Sequence, residues 1–423
     1  MGVQPPIGGW TPLKTSKKKI MFKQIYLDYA ATTPTDKGIL EKMMPYFSQD
    51  FGNPSSVHNL GQRAMMAVDE SREKVAKILK CSPTEIIFTS GATESNNLAI
   101  RGAVSHYYAT NGKNAPKPHF ISSTIEHHCV LDTLKSLFKS DLIELTFLPV
   151  NNEGLVNIDK LKEMIQENTI FVSVMYVNNE IGTIQPIEEI GKLIKELNSI
   201  RQNKIIFHTD AVQAINYLNC DIQKLGVDFL SFSAHKFYGP KGAGVLYIKK
   251  GTPIKVIQTG GAQEFKLRAG THNVPAIVGL GEAIEQIRNN NFEKIEELRD
   301  YLVERILKEI PASYLNGHRE KRSPNNANFR FDNIEGEGLL LSLDMEGVYA
   351  STGSACSSGS LDPSHVLLAL GLKHEQAHGS LRLTLGKHTT KEDIDFTIDK
   401  IKEIVARLRE ISGNVLKEFD PKK

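Results

Sequence analysis

The residues best equipped for chemistry stand where apolar runs end. Lys236 sits in SFSAHKFYGPKGAG (231–244), directly after an apolar stretch, with Ser233 and His235 beside it. Asp210 closes KIIFHTD (204–210), and Gln213 follows it by three residues. His127 comes just after HFISST (119–124), Asn179 just after IFVSVMYV (170–177), and Gly91-Ala92-Thr93-Glu94 just after EIIFTS (85–90). Each has a plain structural use on its own. Thr93 could be an N-cap, His127 a satisfied structural histidine, Asp210 a helix cap and Asn179 a turn residue. Lys236 is harder to explain that way, because sheets deliver site residues at the ends of such runs. A nucleotide phosphate loop would need G-x-x-x-x-G-K-[ST]. GPKGAG lacks both that spacing and the hydroxyl residue, so Lys241 reads as a turn or surface residue.

Together these groups supply the three parts that pyridoxal 5'-phosphate requires: a Schiff-base lysine, an acidic partner for the ring nitrogen, and a phosphate seat. Lys236 and Asp210 fill the first two roles. The Ala92-Thr93 turn fills the third, because a helix N-terminus favours an anion. His127 could stack on the ring, Gln213 and Asn179 could reach its oxygen, and Ser233 and His235 could extend the phosphate seat.

Two residues further along carry a second kind of chemistry. Cys356 lies in YASTGSACSSGSLDPSHVLLALGL, where serines and glycines predict a mobile, solvated loop. A structural cysteine gains little there. A mobile thiol suits a nucleophile that collects a group and carries it away, provided its proton is removed in the site. Cys81, Cys129 and Cys220 read instead as inert, partly buried thiols. Arg382, alone in the strand-like GSLRLTLGKHTT, is either a surface ion pair or a bidentate clamp for an amino-acid carboxylate.

The elements that must position these groups follow from the pattern around them. From residue 85 onward, short β-rich runs alternate with helical patterns, which predicts an α/β fold with a mainly parallel, doubly wound sheet. Near residue 289 the character changes to a long amphipathic helix, FEKIEELRDYLVERILKEI, then the strand-like ANFRFDN and a helical C-terminus. The expected organisation is a large cofactor-binding domain over 36–288 and a smaller α+β domain built from 21–35 and 289–423. Residues 1–20 are expected to be a disordered tail with neither a secretory nor a transit-peptide pattern, and Met21 offers a second start. A net charge of +2 gives no reason to expect nucleic acid or an anionic membrane as partner. No apolar run is long enough to span a bilayer. Four scattered cysteines without a C-x-x-C pair argue against a zinc knuckle or disulfide framework and fit a cytoplasmic protein.

Taken in order, the motifs resemble the cysteine desulfurases, pyridoxal-phosphate enzymes of fold type I in the class V aminotransferase family. The resemblance runs through IYLDYAATTP (25–34), FGNPSSVH (51–58), TSGATESNN (89–97), IEHH (125–128), VNNEIGTIQP (177–186), HTDAVQ (208–213), SFSAHKFYGPKG (231–242), RAGT (268–271), GSACSSGSLDPSHVL (353–367) and LRLTLG (381–386). It implies that Lys236 holds the cofactor, that Thr93, Ser233 and His235 bind its phosphate, and that Asp210 and Gln213 meet the ring nitrogen and hydroxyl. His127 would stack on the ring and help with protons, Asn179 would orient cofactor or substrate, and Arg382 would grip the carboxylate of L-cysteine. Thr271 would reach the neighbouring subunit's phosphate, which implies a homodimer. Cys356 would take the sulfur as a persulfide, leave alanine, and hand the sulfur to an acceptor protein such as an iron–sulfur scaffold. The long cysteine loop resembles the branch serving iron–sulfur assembly and tRNA thiolation more than the selenocysteine lyases. The chain departs from the pattern at His272, where an acidic residue is usual, and its closing LKEFDPKK differs from the extended tail with which housekeeping members dock the cluster scaffold, so such docking is expected less firmly than catalysis. The rival readings are another pyridoxal enzyme of this fold, against which Cys356 argues, and a binding partner that has lost catalysis, against which Lys236, Asp210 and His127 argue.

Overall fold

The computed structural model describes residues 24–287, 292–353 and 363–418. Cys356 and the expected tail over 1–20 lie outside the described residues.

Seven strands build the large sheet: β2 (Ile86–Thr89), β3 (His119–Ser123), β4 (Glu144–Leu148), β5 (Thr169–Ser173), β6 (Ile206–Asp210), β7 (Phe229–Ser233) and β8 (Gly244–Ile248). Their order is β2-β8-β7-β6-β5-β3-β4. Strands β3 to β7 pair in parallel, and β8 runs antiparallel to both β7 and β2. The carboxyl ends of β2, β3, β5, β6 and β7 therefore share one edge. The sheet is doubly wound because its strands bury both faces. Val172, Phe207, Leu230 and Val245 point to the core shared with helices Asn59–Leu79, Ile187–Ile200 and Val274–Gln286. Their neighbours Phe171, Ile206, Phe229 and Leu246 point to the opposite core, under helices Ala92–Asn111 and His128–Lys139.

A second core lies around an antiparallel sheet of order β12-β10-β9, made of β9 (Ser313–Leu315), β10 (Asn326–Phe331) and β12 (Ser380–Thr384). Phe329, Phe331, Leu381 and Leu383 bury against Ile394, Ile398 and Ile401 of the C-terminal helix Lys391–Glu418. The segment that opens the described chain joins the two sheets. Its β1 (Ile25–Tyr26) pairs with β11 (Val348–Tyr349), and Asp28 bridges to Thr384. Seven residues past β1, Thr33 donates through its amide to the His235 carbonyl, 2.9 Å away, at the end of β7.

Two elements differ from the sequence expectation. Strand β4 has no counterpart there, because it is a half-exposed sheet edge with little apolar continuity. The run over 170–177 stops being a strand at Ser173, after which Val177 bridges back to Ile184 and turns Asn178–Gly182 toward the small sheet.

Candidate active site

The strand ends meet in a cavity of about 580 Å³, within the range of small-molecule sites. Lys236, Asp210, Gln213, His127, Asn179, Ala92, Thr93, Ser233, His235 and Arg382 all line it, although they come from six separate stretches of chain. Thr271 does not line it and is exposed.

Lys236 ends a single 3-10 turn, Ala234–Lys236, at the tip of β7. Its Nζ donates to the carbonyls of Ala30 (2.6 Å) and Ala31 (2.8 Å). The same Ala30 carbonyl accepts from the Gln213 amide at 3.0 Å. The N-terminal segment thus forms one wall of the cavity and orients two candidate groups.

At the end of β2, helix Ala92–Asn111 begins with Gly91 as its N-cap and no side-chain cap. Its first amides therefore lack a side-chain acceptor and face a cavity also lined by Ser233 and His235. The close approach of β8 makes this corner tight. A Cβ on Gly244 would lie 2.5 Å from the Cα of Gly91, so the strand needs glycine there. His235 is neutral, since burial and then the Lys236 and Lys241 charges bring its pKa down to about 4. Its Nδ1 lies 3.1 Å from Thr32 Oγ1. Lys241 is exposed as expected, but it also lines the cavity beside Gly242.

His127 caps helix His128–Lys139, with its Nδ1 accepting from the Cys129 amide at 3.1 Å. Burial, aided by the Lys236 charge, lowers its pKa despite the opposing pull of Asp210. The neutral ring therefore carries its proton on Nε2, because the nitrogen that accepts from an amide cannot also hold one. Asp210 is fixed through both oxygens. Oδ1 accepts from the Val212 amide at 2.9 Å, and Oδ2 from the Asn96 side chain at 2.7 Å.

Arg382 is buried on β12, which removes the surface-ion-pair reading. Its Nη2 donates to Asp28 Oδ1 at 2.7 Å and its Nη1 to the Asn179 carbonyl at 2.9 Å. These two bonds hold the guanidinium in place at the cavity wall, while its buried Nε has no hydrogen-bond partner.

Several residues of the site are not evident from sequence. Asn96 joins Asp210 to His208 Nε2, 3.0 Å from its Oδ1, and to Cys129 Sγ at 3.1 Å. Cys129 is no remote thiol. It lines the cavity 3.1 Å from His127 Nδ1, and burial followed by the Asp210 charge pushes its pKa up to about 12, which keeps it protonated and poorly nucleophilic. Its signal was its place two residues after His127, in the first turn of a helix that starts at a strand end. Asp28 had no such signal, whereas Glu180 follows the apolar run over 170–177 with Asn178 and Asn179. Glu180 is buried, accepts from Ser364 Oγ at 2.5 Å, and would meet a Cβ on Gly353 at 3.2 Å. Among the described residues no cluster of three or more His, Cys, Asp or Glu side chains could hold a metal ion, and no helix is long and apolar enough to cross a membrane.

A large mainly parallel sheet with a lysine and a carboxylate at neighbouring strand ends defines a class of protein. The sequence pattern of the class-V aminotransferases matches residues 25–396, and the chain belongs to that family. It is 51% identical over 395 residues to the cysteine desulfurase IscS of Dictyoglomus turgidum, covering 93% of this chain and 97% of that one, and so stands among the cysteine desulfurases. Among solved structures, a NifS-like protein superposes with a TM-score of 0.82 at 37% identity, covering 91% of this chain and 100% of the other. A protein described as SspA in complex with cysteine superposes with a TM-score of 0.76 at 37% identity, over 86% of this chain and 100% of that one.

Proposed function

We propose that this enzyme removes sulfur from L-cysteine with pyridoxal 5'-phosphate, leaving L-alanine and a persulfide on Cys356. The observation that carries the reading is the convergence of Lys236, Asp210, His127 and Arg382 on one cavity with an uncapped helix N-terminus at its end. The donor set fits the cofactor. The first amides of helix Ala92–Asn111 with Thr93, Ser233 and His235 would hold the phosphate. Asp210 would meet the ring nitrogen, Gln213 the ring hydroxyl, and Lys236 the carbon that it bonds. When bound, the cofactor supplies an electron sink for the bonds broken at the amino acid.

The chain's own residues do the rest. Arg382, pinned by Asp28 and the Asn179 carbonyl, grips the substrate carboxylate and fixes its orientation. His127 covers the cavity as a neutral ring with its proton on Nε2, able to give that proton to a leaving or incoming group. Lys236 Nζ, held at the cavity by the Ala30 and Ala31 carbonyls, would move protons to and from the substrate carbons. Cys356 attacks the substrate sulfur as a thiolate. The Cβ–Sγ bond of cysteine breaks, an S–S bond to Cys356 forms, and a proton takes the vacated place on Cβ. The bound sulfur is then passed to an acceptor protein, which we take to be an iron–sulfur scaffold in the cytoplasm.

We further propose a homodimer in which Thr271 serves the partner's phosphate. Supporting this, Thr271 is exposed and outside its own cavity, and Met44, Phe47, Phe51, Val57 and Met66 leave large apolar surfaces uncovered. We also divide the chain into a large domain over 36–288 and a small one from 21–35 and 289–423, in line with the separate cores. The test of the main reading is product analysis with L-cysteine and a reductant. Alanine and sulfide in equal amounts support it, and a yellow protein that forms neither overturns it.

A further inference from the structure

The anion seat at helix Ala92–Asn111 contains a competitor. Glu94, in the first turn, lines the same cavity as Ala92 and Thr93. Its carboxylate is drawn by the same helix dipole that would attract a phosphate. An unpaired carboxylate there would repel a dianion and could take the amides meant for it. The structure shows what prevents this. Glu94 Oε2 accepts from Ser90 N at 2.7 Å and Ser90 Oγ at 2.5 Å, outside the helix proper. Arg268 then closes on the carboxylate from behind, with Nε 2.7 Å from Oε1 and Nη2 3.2 Å from Oε2. Burial works against the Glu94 charge, yet the hydrogen bonds from Arg268 and Ser90 outweigh it and keep the group ionised. Arg268 itself does not line the cavity.

Arg268 is well braced for this. It belongs to a strap over Glu264–His272 that enters through three consecutive left-handed residues, Glu264, Phe265 and Lys266, at φ of 44°, 55° and 66°. Such a run of non-glycine residues is strained and must be held by its surroundings. Glu264 supplies the hold. Its oxygens accept from Arg72 Nη1 and Nη2, from the Phe88 amide and from His272 Nε2, all at 2.8 Å. Phe88 is on β2, two residues before Ser90, so the strap and the anion seat are pinned to one strand. His272, the departure from the family pattern, is thereby accounted for as a partner of Glu264.

We propose that Arg268 is a positioning residue for the cofactor phosphate: it neutralises Glu94 and parks its carboxylate on Ser90, leaving the Ala92 and Thr93 amides to the phosphate. This rests on the pyridoxal-phosphate reading given above. Its signature is charge coupling. Removing Arg268 harms phosphate binding because Glu94 is left charged, so removing the Glu94 charge as well restores it.

The test is equilibrium dialysis of full-length holoenzyme against pyridoxal 5'-phosphate, and separately against pyridoxal, which lacks the phosphate. Wild type, Arg268→Gln, Glu94→Gln and the double variant are compared. Arg268→Gln is expected to weaken retention of the phosphorylated cofactor by about tenfold or more while leaving pyridoxal unchanged, and the double variant to recover to within about threefold of wild type. Equal loss of both ligands, no loss in Arg268→Gln, or no recovery in the double variant overturns the proposal. A wild type that binds neither ligand contradicts the pyridoxal-phosphate reading instead.

Discussion

The Asn96 side chain donates to the Asp210 carboxylate at 2.7 Å while its own oxygen lies 3.0 Å from His208 Nε2. His208 is buried and neutral, its pKa brought down to about 3 by burial, and Ser173 Oγ meets its other nitrogen at 2.8 Å. The Asp210 carboxylate, which lines the cavity, is therefore set by a chain of neutral groups running into the sheet. Replacing Asn96 by Ala leaves one Asp210 oxygen without this partner. Asn96→Ala is expected to retain cofactor about tenfold less tightly, with the fold intact. Absorbance of dialysed protein measures the first and circular dichroism the second.

Arg382 makes a different demand. Its two described hydrogen bonds run to Asp28 and to the Asn179 carbonyl, 354 and 203 residues away in sequence. A lysine in its place keeps a charge but loses the planar fork. Arg382→Lys is expected to raise KM for L-cysteine at least about tenfold with a smaller loss in kcat. Steady-state kinetics on the cofactor-loaded variant distinguishes this from an unchanged KM, which would remove Arg382 as the carboxylate clamp.

Glu126 gives the protein a pH dependence unrelated to chemistry. It is buried outside the cavity, and burial pushes its pKa from 4.5 up to about 8, against the hydrogen bonds from Ser123 Oγ and the Met175 amide. Between those two values the unfolded chain has released this proton and the folded chain keeps it. The stability that the neutral form provides is thus complete at low pH and is lost as pH rises toward 8. Glu126→Gln removes the titration. Wild type should melt progressively lower than the variant as pH is raised from about 5 to 8, and the gap should level off above that. A gap that does not change with pH would contradict this.

The strand-end groups were legible because a parallel sheet delivers its site along one edge, and apolar runs mark that edge in sequence. Lys236, Asp210 and His127 could be placed by that rule alone. Their supporting partners could not. Asn96 looks like any polar residue of a helix, and Asp28 meets Arg382 only because β1 crosses between the sheets. Glu94 reads as part of a phosphate turn, and its pairing with Ser90 and Arg268 is visible only in the geometry. Cys129 is the partly buried, unreactive thiol its sequence suggests, but its place in the cavity wall depends on where His127 starts a helix. Strand β4 escaped notice because a half-exposed edge carries a weak pattern.

The central claim is that sulfur leaves L-cysteine in this cavity and arrives on Cys356. The measurement is a single turnover of cofactor-loaded enzyme with limiting L-cysteine and no reductant, with alanine quantified and each cysteine assayed for an added sulfur atom by peptide mass spectrometry. The expected result is one alanine for each persulfide, the persulfide on Cys356, and neither product from Cys356→Ala although that variant stays yellow. Alanine formed by Cys356→Ala at the wild-type rate, or a persulfide that appears on another cysteine such as Cys129 instead, would contradict it.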